Sequence, residues 1–131
     1  MVFEKFTILL IDDEPSVLRA LQLLLEAIGY HSIPFSNSSE ARAFLPQAAS
    51  QCDLILCDLK MPEFDGMEVL ESRNTACPEL PFVLMSAHAT SLDVDKAIAH
   101  GANGFLSKPF SPDELKSVIE SLEITQRAVS S

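Results

Sequence analysis

Thr7-Ile8-Leu9-Leu10-Ile11 is a short, unbroken apolar run that stops at Asp12-Asp13-Glu14. A strand with one wet face alternates apolar and polar residues, whereas one covered on both faces does not. The run therefore predicts an inner strand of a parallel sheet, and parallel neighbours need long crossover connections. Leu54 to Cys57, ending at Asp58, repeats the pattern, as does Pro81 to Ser86. Gly104 to Ser107 is a shorter version, and His31 to Phe35 a weaker one.

Helical patterns fill the gaps. Pro15 suits a first helical turn; Val17, Leu21, Leu24 and Ile28 then recur at helical spacing, and Gly29 ends the helix. Asn37 with Glu40 has the spacing of a capping box, and Pro46 is expected to end or kink the helix that follows. A third helix is expected from about Met67, and a modest fourth from Asp93 to His100, stopped by Gly101. Ser111-Pro112-Asp113-Glu114 combines a capping box with proline at the first helical position, ahead of the stripe Leu115, Val118, Ile119 and Leu122. Strands alternate with helices five times, which predicts a doubly wound α/β fold around a parallel sheet. The segment from Arg127 is small and polar, so residues 1–125 are read as one domain and 126–131 as a tail or linker stub.

Bulk properties narrow the function. A chain of 131 residues with 47% apolar content supports one domain with a real core. The net charge of −10 argues against direct nucleic-acid binding, which needs a clustered basic face, and against docking on anionic lipid. No apolar run is long enough for membrane insertion. Cys52, Cys57 and Cys77 are odd in number and lack metal-ligand spacing, which suggests neither disulfides nor zinc and fits a reducing, cytoplasmic compartment.

In open α/β sheets, ligands bind beyond the carboxyl ends of the strands. Those ends carry Asp12 and Asp13, then Asp58, then Ser86, then Ser107 and Lys108 before Pro109. Alone, Asp12 or Asp13 would serve as a helix cap, Ser86 as a loop residue and Lys108 as surface. Together they have a chemistry. Clustered carboxylates repel and raise one another's pKa, and a hard cation such as Mg²⁺ relieves them. A lysine holds a phosphate as a point charge, and cation and lysine together stabilise a phosphoryl group in transfer. The remaining carboxylate is then free to act as a nucleophile and form an acyl phosphate.

The chain resembles a two-component response-regulator receiver domain. The resemblance is carried by Ile11-Asp12-Asp13-Glu14-Pro15, Cys57-Asp58-Leu59-Lys60-Met61-Pro62, Phe64-Asp65-Gly66, Leu84-Met85-Ser86-Ala87 and Gly104-Phe105-Leu106-Ser107-Lys108-Pro109-Phe110, and runs from about Phe6 to about Glu123. It implies a (βα)5 sandwich with a five-stranded parallel sheet in the flavodoxin-like strand order 2-1-3-4-5. Asp58 would be the phosphoacceptor. Asp12, Asp13 and Asp58 would hold Mg²⁺, directly or through water, with the backbone carbonyl of Lys60. Ser86 and Lys108 would contact the phosphoryl group, across a cis bond from Lys108 to Pro109. Phe105 would be the switch aromatic. Lys60 and His88 would tune phosphate lifetime, and the small Ala87 would leave the route open. Phe105 lacks the hydroxyl of the commoner tyrosine, and Glu63 stands in a turn where glycine is frequent.

The partners so implied are a sensor histidine kinase or phosphotransfer protein, and a downstream output domain or protein. The partner, or a second copy in a phosphorylation-dependent dimer, would meet the face of the fourth helix, fifth strand and fifth helix. Two other classes compete. A phosphatase of the haloacid-dehalogenase kind also uses an aspartate nucleophile, but needs a second aspartate where Lys60 stands, and no lid domain is visible. A phosphorylation-independent protein-interaction module would lack a site residue, and none is missing. His31 and His100 read as surface or helix-end residues.

Overall fold

The computed structural model describes the backbone of residues 6–130 and the side chains of residues 6–123. Five strands alternate with five helices: β1 (Thr7–Ile11), α1 (Pro15–Ala27), β2 (His31–Phe35), α2 (Ser38–Gln51), β3 (Leu54–Asp58), α3 (Gly66–Ala76), β4 (Phe82–Ser86), α4 (Ser91–Ala99), β5 (Gly104–Ser107) and α5 (Pro112–Ser130). All strand pairs are parallel and the sheet order is β2-β1-β3-β4-β5.

The three apolar runs occupy the centre. β3 and β4 are buried at every position, and β1 at every position after Thr7. Their side chains alternate between two cores. Ile8, Leu10, Leu54, Leu56, Val83 and Met85 pack with Leu18, Leu21 and Leu25 of α1 and with Leu115 and Ile119 of α5. Leu9, Ile11, Ile55, Cys57, Phe82 and Leu84 pack with α2, α3 and Ala97 of α4. Each fully buried aliphatic side chain contributes roughly 1.5–3 kcal/mol. β2 reads weakly because it is an edge strand: Pro34 sits there, where a missing N–H is tolerated, and His31 and Pro34 are exposed.

Three helix boundaries depart from the sequence expectation. Pro46 does not end α2, which continues to Gln51. Pro46 lies on the exposed side, while Ala41, Leu45 and Ala48 keep the opposite stripe buried, so packing outweighs one lost backbone bond. α3 starts at Gly66, with Asp65 and Glu68 forming a complete capping box. α4 starts at Ser91, earlier than Asp93, because Thr90 and Asp93 form another. At α2 the Asn37 side chain accepts the Glu40 N–H (3.0 Å). The backbone of α5 is helical to Ser130, so residues 126–130 continue it; their side chains, and residue 131, lie outside the described residues.

Arg73 is the one buried arginine among the described residues. It donates to the carbonyls of Pro78 (2.8 Å) and Gly101 (2.6 Å), and Asn74 donates to His100 O (2.8 Å), so α3 holds the C-terminal end of α4. Cys52, Cys57 and Cys77 are free and buried. Burial pushes the Cys52 thiol up to about 11 and raises the other two, which leaves all three as small hydrophobes at neutral pH.

Candidate functional site

Strand register lines up the polar ends. Ile11 is level with Cys57, which puts Asp12 level with Asp58; Asp58 is level with Met85, and Ser86 with Ser107. Strands about 4.8 Å apart therefore present Asp12, Asp58, Ser86 and Lys108 in a row along one edge. β1 and β3 are neighbours although β2 lies between them in sequence, so the crevice of this sheet falls between Asp12 and Asp58.

Asp12, Asp58 and Ser86 are all buried at this edge. Carboxylate oxygens of Asp12, Asp13 and Asp58 lie within 4.8 Å of one another. Lys108 reaches across from the end of β5: its Nζ donates to Asp12 Oδ2 at 2.9 Å and to Asp58 Oδ1 at 3.2 Å. Neither Asp12 nor Asp13 caps α1, whose N-cap is Glu14. Asp12 Oδ1 instead accepts the Glu14 N–H at 3.0 Å, which turns the chain away and leaves Oδ2 for Lys108. The Lys108–Pro109 bond is cis. Backbone N–H of Lys108 donates to Ser86 O at 2.8 Å, tying the ends of β4 and β5 together, and His88 N–H donates to Ser86 Oγ at 3.3 Å.

The two partners of the ion pair are shifted in the same direction for different reasons. Burial raises the Asp58 carboxyl above its usual range; the Lys108 ammonium opposes this, and the charges of Asp12 and Asp13 reinforce it. For Lys108, burial works against the ammonium, but its hydrogen bonds and attraction to Asp12 and Asp58 outweigh burial and raise its pKa. One ammonium thus bonds two carboxylates in a cluster of three, which leaves a formal surplus of negative charge. That surplus, with hard oxygen donors in one cleft, suits a divalent cation with a preference for carboxylates and water.

Removing one negative charge should then stabilise the metal-free protein. Asp58→Asn is expected to raise its unfolding free energy by about 1 kcal/mol at neutral pH, as read by urea denaturation. Because the Asp58 pKa is raised on folding, the native state binds the proton more tightly. Wild-type stability from this group therefore falls as pH rises from the ordinary carboxyl range through the folded pKa. The variant should lack that segment, and a variant no more stable than wild type would contradict the cost of holding this buried charge.

The remaining predicted residues surround the cluster. Ala87 and His88 are exposed beyond β4, Phe105 is half-buried against the core on the α4 side, and the Lys60 side chain is exposed. Lys60 lines a hollow of about 120 Å³ with Leu59, Asp65, Met67, Asp93 and Lys96, and its charge helps lower the Asp93 pKa, after the Thr90 backbone hydrogen bond. His31 is exposed, and His100 Nδ1 lies 2.8 Å from Lys96 O at the end of α4. Glu63 adopts φ +67°, the left-handed turn in which glycine is easier. Ser38 and Arg42 contact the loop after Asp58 and carry no motif that singles them out in sequence. An apolar groove lined by Val17, Ala20, Leu21, Leu24, Pro109 and Phe110 runs beside Lys108 and Ala87.

This fold and edge define a class, and comparison with known proteins agrees. Residues 8–120 match the response regulator receiver domain family, and the chain belongs to it. It is 34% identical over 85% of its length to the two-component response regulator ARR10 of Arabidopsis thaliana, and 33% identical over 97% to response regulator Rre1 of Synechocystis. It covers 20% of the first and 55% of the second, so it spans little more than half of these relatives at most. Among solved structures, it is similar to a receiver domain protein of Clostridium thermocellum (TM-score 0.90, 26% identity), covering 95% of this chain and 98% of that one. A CheY-like receiver domain protein of Methanospirillum hungatei matches at TM-score 0.84 and 25% identity, with 95% and 99% covered.

Proposed function

We propose that this receiver domain accepts a phosphoryl group on Asp58 from a phosphohistidine of a sensor histidine kinase or phosphotransfer protein. The observation that carries the reading is the shared Lys108 ammonium, bonded to both Asp12 and Asp58 within a cluster of three carboxylates. In the reaction an Asp58 carboxylate oxygen forms a bond to phosphorus as the phosphorus–nitrogen bond to the donor imidazole breaks, and the imidazole takes up a proton. Asp12, Asp13 and Asp58, with the Lys60 carbonyl, would hold Mg²⁺, which neutralises phosphoryl charge when bound. Lys108 then exchanges an Asp58 oxygen for a phosphoryl oxygen, and the Ser86 hydroxyl donates to another. Water later hydrolyses the acyl phosphate; Lys60, Ala87 and His88, around its route, set the lifetime.

Arrival of close to two negative charges draws Ser86 toward the phosphoryl group, and Phe105 turns into the space. The output is a repacked face of α4, β5 and α5, read by an output domain, a protein partner or a second copy. α4 already shows Leu92 and Ile98 to solvent. The receiver unit comprises residues 1–125, with 126–131 as a tail or linker stub. The buried free thiols suit the reducing cytoplasm; among the described residues no helix is long and apolar enough to cross a membrane.

The test is incubation with Mg²⁺ and a small phosphoramidate donor, followed by intact mass. A one-phosphate increase in wild type and none in Asp58→Asn is expected. No increase in wild type, or an equal one in the variant, would remove the proposal.

A further inference from the structure

The loop between Asp58 and α3 is held from outside by α2. The Ser38 side chain is buried, and its hydroxyl makes two bonds to that loop. It donates to Pro62 O at 3.0 Å and accepts the Phe64 N–H at 3.2 Å. One oxygen therefore clamps both sides of Glu63, the residue with left-handed backbone. One turn along α2, the Arg42 guanidinium lies 3.8 Å over the Phe64 ring while its Nε donates to Ser72 Oγ at 2.8 Å. At the other end of the loop, Leu59 N–H donates to Met85 O at 2.9 Å. Lys60 and Met61 lie between these two anchors.

We infer that Ser38 is a positioning residue for the cation site: its hydroxyl sets the course of the Lys60–Pro62 backbone and so aims the Lys60 carbonyl. The inference rests on the proposed Mg²⁺ site. A main-chain ligand has no rotamer of its own, so its aim is decided by whatever fixes the loop. Each residue left unfixed must be ordered when the cation binds, which weakens affinity. Support outside the ligand shell matters by about 10–100-fold in other metal sites.

The variants are Ser38→Ala, which removes the hydroxyl, and Ser38→Cys, which keeps the volume with a weak hydrogen-bonding group. Mg²⁺ affinity is measured by calorimetry, and amide hydrogen exchange at Phe64 is followed in the metal-free protein. Both variants are expected to bind Mg²⁺ about 10-fold more weakly, to exchange the Phe64 amide faster, and to approach wild-type phosphorylation rates at saturating Mg²⁺. A packing role alone would leave Ser38→Cys like wild type. That result, or unchanged affinity in Ser38→Ala, overturns the role of Ser38 while wild-type binding still stands. Mg²⁺ binding that is absent from wild type, or retained in Asp13→Asn, overturns the site reading and the inference with it.

Discussion

Replacing Gly66 with alanine should lower the unfolding free energy by about 2 kcal/mol and impair the acidic site with it. Gly66 opens α3 directly behind Asp58. A Cβ there would lie 2.6 Å from the Asp58 carbonyl oxygen, 2.6 Å from Leu84 Cδ2 and 2.9 Å from Leu59 Cα. The leucine end can swing aside, but the other two atoms belong to the backbone. That backbone leaves β3, an inner strand paired on both sides by β1 and β4, and has little room to retreat. Overpacking of this kind costs about 1–3 kcal/mol, against at most about 1 kcal/mol gained from the better helix propensity of alanine. Urea denaturation gives the first number, and phosphorylation by a small donor should be slower in the same variant. Stability within about 0.5 kcal/mol of wild type would show that α3 shifts freely.

The second large effect is expected at Lys108. Lys108→Met keeps the apolar stem and removes the ammonium, so phosphoryl transfer to Asp58 should slow by about 100-fold at saturating Mg²⁺. The metal-free variant should also lose about 2 kcal/mol, because three carboxylates are left without their cation. Mg²⁺ should restore part of this, about 1.4 kcal/mol at ten times its dissociation constant. Since the Lys108 pKa is raised on folding, its contribution is fully present below the ordinary lysine range and fades only as pH rises through the folded value. The gap between wild type and variant should therefore stay constant through neutral pH and narrow in alkali. Stopped-flow phosphorylation and urea curves at several pH values check both parts. An undiminished rate would exclude Lys108 from the transfer.

Asp58→Asn and Lys108→Met should thus move metal-free stability in opposite directions, although both abolish the same ion pair. A view in which the pair simply adds a favourable contact predicts the same sign for both. A carboxylate whose burial and like-charged neighbours together outweigh its lysine predicts opposite signs.

Much of this was legible in the sequence because inner strands and site residues share one signal. An apolar run must stop where the sheet meets water, and Asp12, Asp58 and Ser86 stand at those stops. Edge strand β2 was faint because Pro34 and half-exposed positions dilute the pattern. The apolar pattern puts the start of α4 late, at Asp93, although Thr90 and Asp93 have the spacing of a cap. At Pro46 the expected stop does not occur, because local propensity says nothing of the buried stripe Ala41, Leu45 and Ala48 on the opposite face. Ser38 could not be found in advance. Its partners, Pro62 O and Phe64 N–H, are main-chain atoms about two dozen residues away, and backbone partners leave no trace in residue identity.

Lys108 and Asp12 are separated by 96 positions, and Lys108 follows the last strand. The carboxylates come together when β1 and β3 pair, whereas their ammonium arrives only when β5 docks on β4. Until β5 is in place the edge is a cluster of like charges, and the lysine that follows β5 relieves it. Contacts this distant in sequence slow the search, because loop closure costs entropy first. The ion pair therefore doubles as a mark that β5 has joined the inner strands: a chain in which β5 has not docked lacks the ammonium of its acidic edge.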